Sequence, residues 1–142
     1  MSLQSKMTEY ADRRVWNLEG HDVTYLHIDY RFAFDCWWLY NKTNNSLSVT
    51  IEAPFELRYL DQTVICVPED VSTVKEAISI LHKPISFLTA FRDGRLLVTF
   101  SDGTELEVAK IPRYESWEAQ GEGELADLAL LCTAHEGPPW RE

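Results

Sequence analysis

From Ile85 to Lys110 apolar and polar residues alternate with a period of two, the pattern of strands buried on one face. The alternation puts Ile85, Phe87, Thr89 and Phe91 on one face of a first strand. Leu96, Val98 and Phe100 share a face in the next, and Leu106 and Val108 in a third. Facing residues of an antiparallel pair lie on the same side of the sheet, and this selects the loops. A two-residue turn at Asp93-Gly94 sets Phe91 against Leu96 and Phe87 against Phe100. In the following hairpin a two-residue loop would oppose Phe100 to Glu105. A three-residue loop, Ser101-Asp102-Gly103, opposes Val98 to Leu106 instead and gives Gly103 the left-handed bulge position. The stretch 85–110 is therefore predicted to be a three-stranded meander.

An earlier stretch echoes it. "NNSLSVTIEAPFEL" (44–57) aligns without a gap on "DGRLLVTFSDGTEL" (93–106), so that Leu47, Val49, Thr50, Glu56 and Leu57 match Leu96, Val98, Thr99, Glu105 and Leu106. Asn44-Asn45 falls on Asp93-Gly94, two pairs suited to a turn with positive φ. By the same rule Tyr40 faces Val49 and Trp38 faces Ile51. Pro54 stands where the later copy has Gly103, and proline cannot adopt positive φ, so that loop must differ. Upstream, Leu26, Ile28, Tyr30, Phe32 and Phe34 alternate with His27, Asp29, Arg31 and Asp35, which reads as one long or bent half-exposed strand from Val23 to Leu39. Between the copies, Thr73 and Glu76 form a capping-box pattern ahead of an apolar stripe of Val74, Ala77, Ile78 and Leu81. Pro84 ends this helix, expected at about 73–83 and packed on the sheet. The expected fold class is α+β: a mainly antiparallel sheet built from two similar meanders, at about 23–60 and 85–110. The 142 residues are read as one domain, 1–142, with 1–10 a flexible or added leader and Met7 the natural start.

After Pro112, the stretch "RYESWEAQG" reads as a short helix near 113–120 with Gly121 at its C′ position. Tyr114 and Trp117 then lie three apart, as do Glu115 and Glu118. The structural reading is a brace, with both aromatics on the sheet and both acids in water. The functional reading makes Tyr114, Glu115, Trp117 and Glu118 a partner-binding patch, an aromatic anchor with acidic flanks. Leu125 to Thr133 is expected to form a last strand, with Trp140 tucking in the tail.

Twenty-three acids against thirteen bases give a net charge of −10. This field disfavours nucleic acid and anionic membrane as partners and favours a basic protein, although solubility alone also accounts for it. No apolar run approaches the roughly 20 residues that span a bilayer, and the N-terminus lacks a secretory apolar stretch, so the protein is expected to be cytoplasmic. Cys36, Cys66 and Cys132 are widely spaced and read as buried reduced thiols. His21, His27 and Asp29 share strand parity, but His21 and His27 would lie about 20 Å apart along an extended chain, too far for one metal. No nucleotide, phosphate or hydrolase motif is present, so no catalytic residue, metal or cofactor is assigned.

The later half resembles a domain family of unknown function found in small bacterial proteins. Its F-x-D-G-x-x-L-x-V element corresponds to Phe100, Asp102, Gly103, Leu106 and Val108, and its Y-E-x-W-E element to Tyr114, Glu115, Trp117 and Glu118. Trp16, Leu18 and Gly20 also suit the pattern. The tail departs from it, with Ala134 to Pro139 where the family has a Pro-Gly-Gly turn. The resemblance implies a domain type and no chemistry. The expected function is a non-catalytic acidic protein-binding module, of immunity or antitoxin type, with a homodimer through an edge strand as a further expectation. A small-ligand-binding domain is the alternative, and an enzyme of unrecognised type a third.

Overall fold

The computed structural model describes residues 6–40, 42–111, 115–134 and 137–141. In chain order the strands are β1 (Met7–Glu9), β2 (Arg13–Asp22), β3 (Tyr25–Ile28), β4 (Phe32–Tyr40), β5 (Thr43–Ile51), β6 (Phe55–Tyr59) and β7 (Gln62–Cys66). A helix α1 (Val71–Val74), continued as 3-10 helix over Lys75–Ile80, leads to β8 (Pro84–Phe91), β9 (Leu96–Phe100) and β10 (Glu105–Val108). Finally come β11 (Trp117–Glu122), a 3-10 turn (Gly123–Leu125) and β12 (Ala129–Cys132). All pairings are antiparallel, in a seven-stranded sheet of order β1-β2-β8-β9-β10-β6-β7 and a five-stranded sheet of order β12-β11-β5-β4-β3.

Both sheets feed one buried apolar cluster, which includes Trp16, Phe32, Phe34, Leu57, Val98 and Trp117. Their alternating patterns supply it: Leu47, Val49 and Ile51 are buried from β5, Leu96, Val98 and Phe100 from β9, and Leu106 and Val108 from β10. Two buried indoles join distant parts of the chain through their N–H groups. Trp117 donates to the Gly94 carbonyl at 2.8 Å, and Trp16 donates to Asp127 at 3.2 Å. Burying an aromatic side chain of this size is worth several kcal/mol, and its polar end needs a partner once it leaves water.

The predicted meander at 85–110 is present as β8, β9 and β10, and Leu106 faces Val98 through the expected loop with Gly103 at φ 91°. The preceding loop differs. Phe91 pairs with Arg95, so the loop is Arg92-Asp93-Gly94, with Gly94 at φ 101° repeating the device of Gly103. One added loop residue moves β8 by one position, so Leu88 and Ala90 face the core and Phe87 is exposed. A bulge between Ile85 and Phe87 returns Ile85 to the interior.

The first meander does not follow the expected span of 23–60. The segment taken as one long strand is the hairpin β3–β4, in which Ile28 pairs with Phe32. A three-residue loop keeps the same parity on both arms, so alternation alone cannot distinguish this hairpin from a continuous strand. Tyr40 pairs with Thr43 rather than Val49, and Trp38 with Asn45 rather than Ile51, so β5 begins earlier than expected and Asn45 becomes a buried residue. After Pro54 the chain leaves the five-stranded sheet, and β6 pairs with β10.

The helix begins earlier than expected and is mostly 3-10. Asp70 caps it by accepting from the Ser72 amide, while Thr73 binds Val67 and Glu76 accepts from the Tyr59 hydroxyl at 2.7 Å, so the Thr73–Glu76 capping box does not form. Its buried residues, Val74, Ala77 and Ile80, recur every three positions, the period of a 3-10 helix, and Ile78 is exposed. Lys83 then pairs with Asp102 in the β9–β10 loop, and with the Thr104 amide it holds the Asp102 carboxyl down at about 2. Cys36, Cys66 and Cys132 are buried and free; burial pushes the first two thiols up to about 12 and about 11.

The helix expected near 113–120 is replaced over its second half by strand β11. Trp117 and Ala119 point inward and Glu118 and Gln120 outward, a period of two that three- and four-residue spacings obscured. Gly121 is not a helix cap: it lies in the strand, where an added Cβ would stand 2.2 Å from the Leu125 carbonyl oxygen. Gly121→Ala is expected to lower stability by about 1–3 kcal/mol, as overpacking of a fixed backbone does. A urea midpoint unchanged from the parent protein would contradict this packing.

Candidate functional site

Strand β5 is the middle strand of its sheet, and its outward side chains are small: Ser46, Ser48 and Thr50. The register sets larger residues on both sides of Ser46 and Ser48, and on the β11 side of Thr50. Ser46 lies between Trp37 and Glu122, Ser48 between Asp35 and Gln120, and Thr50 between Ala33 and Glu118. A small-residue row between taller rows makes a trough along β5. At one end it opens into a hollow of about 580 Å³ lined by Asp35, Trp37, Leu39, Asn44 and Glu122. Toward the other end a narrower hollow of about 110 Å³ lies among Arg31, Thr50, Glu52, Glu115 and Glu118. Arg31 and Glu52 also border a wide one of about 660 Å³ with Tyr30 and Glu69.

Two features distinguish this face. The first is exposed apolar surface: Trp37 is 67% exposed and Leu39 72%, in a strand that buries Phe32, Phe34 and Cys36 on its other face. The second is unbalanced charge. Six carboxylates (Asp35, Glu52, Glu69, Glu115, Glu118 and Glu122) border the hollows against one guanidinium, Arg31. Asp35 accepts from the Ser48 hydroxyl at 2.7 Å, and Arg31 leans to Asp29. The outer face of the seven-stranded sheet is arranged differently: Arg58 bonds Glu56, Glu105 and Glu107 at 2.9 to 3.3 Å. There one guanidinium ties three acids together within the sheet; along β5 no ion pair joins the glutamates to a cation among the described residues.

The four residues predicted for a partner patch separate here. Tyr114 lies outside the described residues. Trp117 is 1% exposed and belongs to the core, whereas Glu115 and Glu118 are exposed on the trough. Trp37, Leu39, Asp35 and Glu122 were not singled out from the sequence. The adjacent pair Trp37-Trp38 carried the available signal, because strand parity must turn one of two neighbouring tryptophans outward.

The histidines considered as metal ligands take other partners. His27 pairs with Asp29 at 3.2 Å, while His21 stacks on Trp38 with ring centroids 3.8 Å apart. Among the described residues no group of three or more His, Cys, Asp or Glu side chains is placed to hold a metal ion. Lys6 reaches His21 Nε2 at 3.3 Å, and since an ammonium only donates, that nitrogen accepts and carries no proton. Glu124 links the cluster by accepting from the Trp38 indole at 3.2 Å and pairing with Lys6 at 3.3 Å.

The chain is thus an α+β protein dominated by antiparallel sheet, with a candidate interaction face on its five-stranded sheet. It belongs to a family of unknown function, DUF6188, whose model matches residues 15–135. No curated protein and no solved structure matches the chain.

The His21 cluster yields a pH dependence. Burial, and then Lys6, hold the His21 pKa below 6.5, with Glu124 and Asp22 opposing. A group whose folded pKa is depressed favours folding while neutral in both states, and its contribution falls once pH drops below the unfolded value. Stability contributed here is therefore complete above pH 6.5 and declines below it. His21→Asn is expected to flatten the fall in urea midpoint between about pH 7 and pH 5; an unchanged slope would assign that fall to other groups.

Proposed function

We propose that this protein is a non-catalytic protein-binding module that receives a basic partner along the β5 trough, in the manner of an immunity or antitoxin protein masking a cationic surface. The observation that carries the reading is the contrast between the two outer faces. Glutamates around Arg58 are paired within the fold, whereas those along β5 stand beside exposed Trp37 and Leu39 with no ion pair to a cation among the described residues. Like charges gathered on one face repel each other, and a cationic partner relieves that repulsion while its aliphatic stems cover the apolar surface. An arginine of the partner over the Trp37 ring, flanked by Asp35 and Glu122, would combine a cation–π contact with charge pairing. The acidic composition supports the same reading, which extends to a bacterial, cytoplasmic setting for the module.

A short arginine-rich peptide serves as probe, with Trp37 replaced to assign the signal. Binding is expected to weaken steeply with added salt, and to fall about ten-fold in Trp37→Ala and again in Glu118→Gln/Glu122→Gln, each step equivalent to about 1.4 kcal/mol. Binding indifferent to salt, or equal in all variants, would count against the trough. A thermal shift given by a neutral small molecule and abolished by Trp37→Ala would instead favour a small-ligand site in the 580 Å³ hollow.

A further inference from the structure

The two sheets have four edge strands, and they are not equivalent. The β12 edge is covered by the tail, since the Leu131 amide donates to the Pro139 carbonyl at 2.9 Å. β1 has three residues, one of them Glu9, which is paired with Arg14. β3 has four residues and carries the His27–Asp29 pair at its end. β7 has five, Gln62–Cys66, and none is charged, in a chain of net charge −10. Charges, short length and covering segments are the usual means of keeping a sheet edge from pairing. Thr73 of the helix caps both backbone groups of Val67, just past the end of β7, but among the described residues no charge and no segment covers Thr63 or Ile65.

Its backbone pattern is also self-complementary. The β6–β7 hairpin turns on Leu60-Asp61, both with positive φ (48° and 60°), a two-residue loop of type I′. Such a loop makes Tyr59–Gln62 a hydrogen-bonded pair, and alternation makes Leu57–Val64 and Phe55–Cys66 hydrogen-bonded as well. The remaining residues of β7, Thr63 and Ile65, therefore aim their N–H and C=O groups away from β6. They flank Val64 symmetrically. A two-fold axis at Val64 places Thr63 of one copy opposite Ile65 of the other, and both such pairs become hydrogen-bonded. The same register sets Asp61 opposite Val67, so no carboxylate meets another. Thr63 and Ile65 share the outer face, where a β-branched cross-strand pair is favourable. Apolar surface borders the edge: Ile65 is 52% exposed, Leu60 in its turn 85%, and Val71, at the start of the helix, 62%.

The geometry points to a homodimer formed by antiparallel pairing of β7 with β7 of a second copy about Val64, joining the two seven-stranded sheets into one. This surface lies on the sheet that does not carry the β5 trough, so the inference stands independently of the proposed function. Its response to salt is opposite in sign. Two chains of charge −10 repel over long range, and screening favours their association, whereas screening weakens capture of a basic partner.

The test is the molar mass of the full chain by light scattering and sedimentation, from about 10 to about 500 µM, because dimer content follows protomer concentration. The mass is expected to rise toward twice 16.4 kDa, and at lower concentration as salt goes from about 50 to 500 mM. Ile65→Lys places like charges near the axis and is expected to return the monomer. Thr63→Pro removes an amide hydrogen not used in the β6 ladder, so it blocks pairing while the hairpin persists, as a circular dichroism spectrum would verify. Val64→Cys sets a thiol opposite itself at a non-hydrogen-bonded pair, about 4.5 Å between Cα atoms, and is expected to give a covalent dimer on oxidation. A chain that stays monomeric across the range overturns the inference. So does a dimer untouched by both edge variants, and one that Val64→Cys fails to cross-link overturns the register.

Discussion

Each strand of this protein gives alternate side chains to a single apolar layer shared by two sheets, and the requirement to keep that layer closed governs the other features. Where the chain passes from one sheet to the other, between β2 and β3, at Pro54 and again before Ser116, backbone groups must find new partners inside the fold. The Glu52 and Ala53 amides both donate to the Ser116 carbonyl, and the Ser116 hydroxyl accepts from the Ile111 amide. Trp117, directly after this crossing, fills the layer and closes it with a hydrogen bond to the β8–β9 loop. The Y-E-x-W-E element of the chain thus does its work mainly from inside: its tryptophan joins the sheets, and the strand it opens carries its outward acids into the trough.

Parity was legible in the sequence wherever one loop length was compatible with it. The β9–β10 hairpin follows from opposing Leu106 to Val98, and the buried faces of β5, β9 and β10 are those the alternation marks. Parity does not count strands across an odd loop, which is why β3 and β4 read as one. Nor does it choose between two- and three-residue loops when either offers an apolar partner, as at Asp93-Gly94, where both Phe91 and Ala90 could face Leu96. For the helix, apolar residues at 74, 77, 78 and 81 fit an α-helical stripe on paper; the 3-10 form instead buries 74, 77 and 80 and leaves Ile78 outside.

The acidic character of the site was legible and its location was not. Net charge is a property of composition, but the trough depends on β11 lying beside β5, a pairing between residues about 70 positions apart with no local signal. Reading 113–120 as a helix placed Trp117 beside Glu115 and Glu118 as one patch. In the structure Trp117 turns inward and Glu118 outward along β11, while Glu115 precedes the strand and is exposed.

Solubility explains why a small chain should carry excess acid, but it does not specify where the acid sits. A solvation role is met equally by glutamates on either sheet, and the outer face of the seven-stranded sheet shows the outcome when they are simply accommodated: Arg58 draws three of them into one cluster. The β5 face has an arginine nearby too, yet Arg31 sits at the rim of two hollows and leans to Asp29 rather than to the glutamates. Exposed Trp37 and Leu39 on that same face gain nothing from solvent. Mutual repulsion among clustered carboxylates and uncovered apolar surface each carry a free-energy cost in the isolated chain, and the proposed cationic partner would relieve both at once. The difference between the two outer faces, more than the total charge, is therefore what the proposed recognition role rests on.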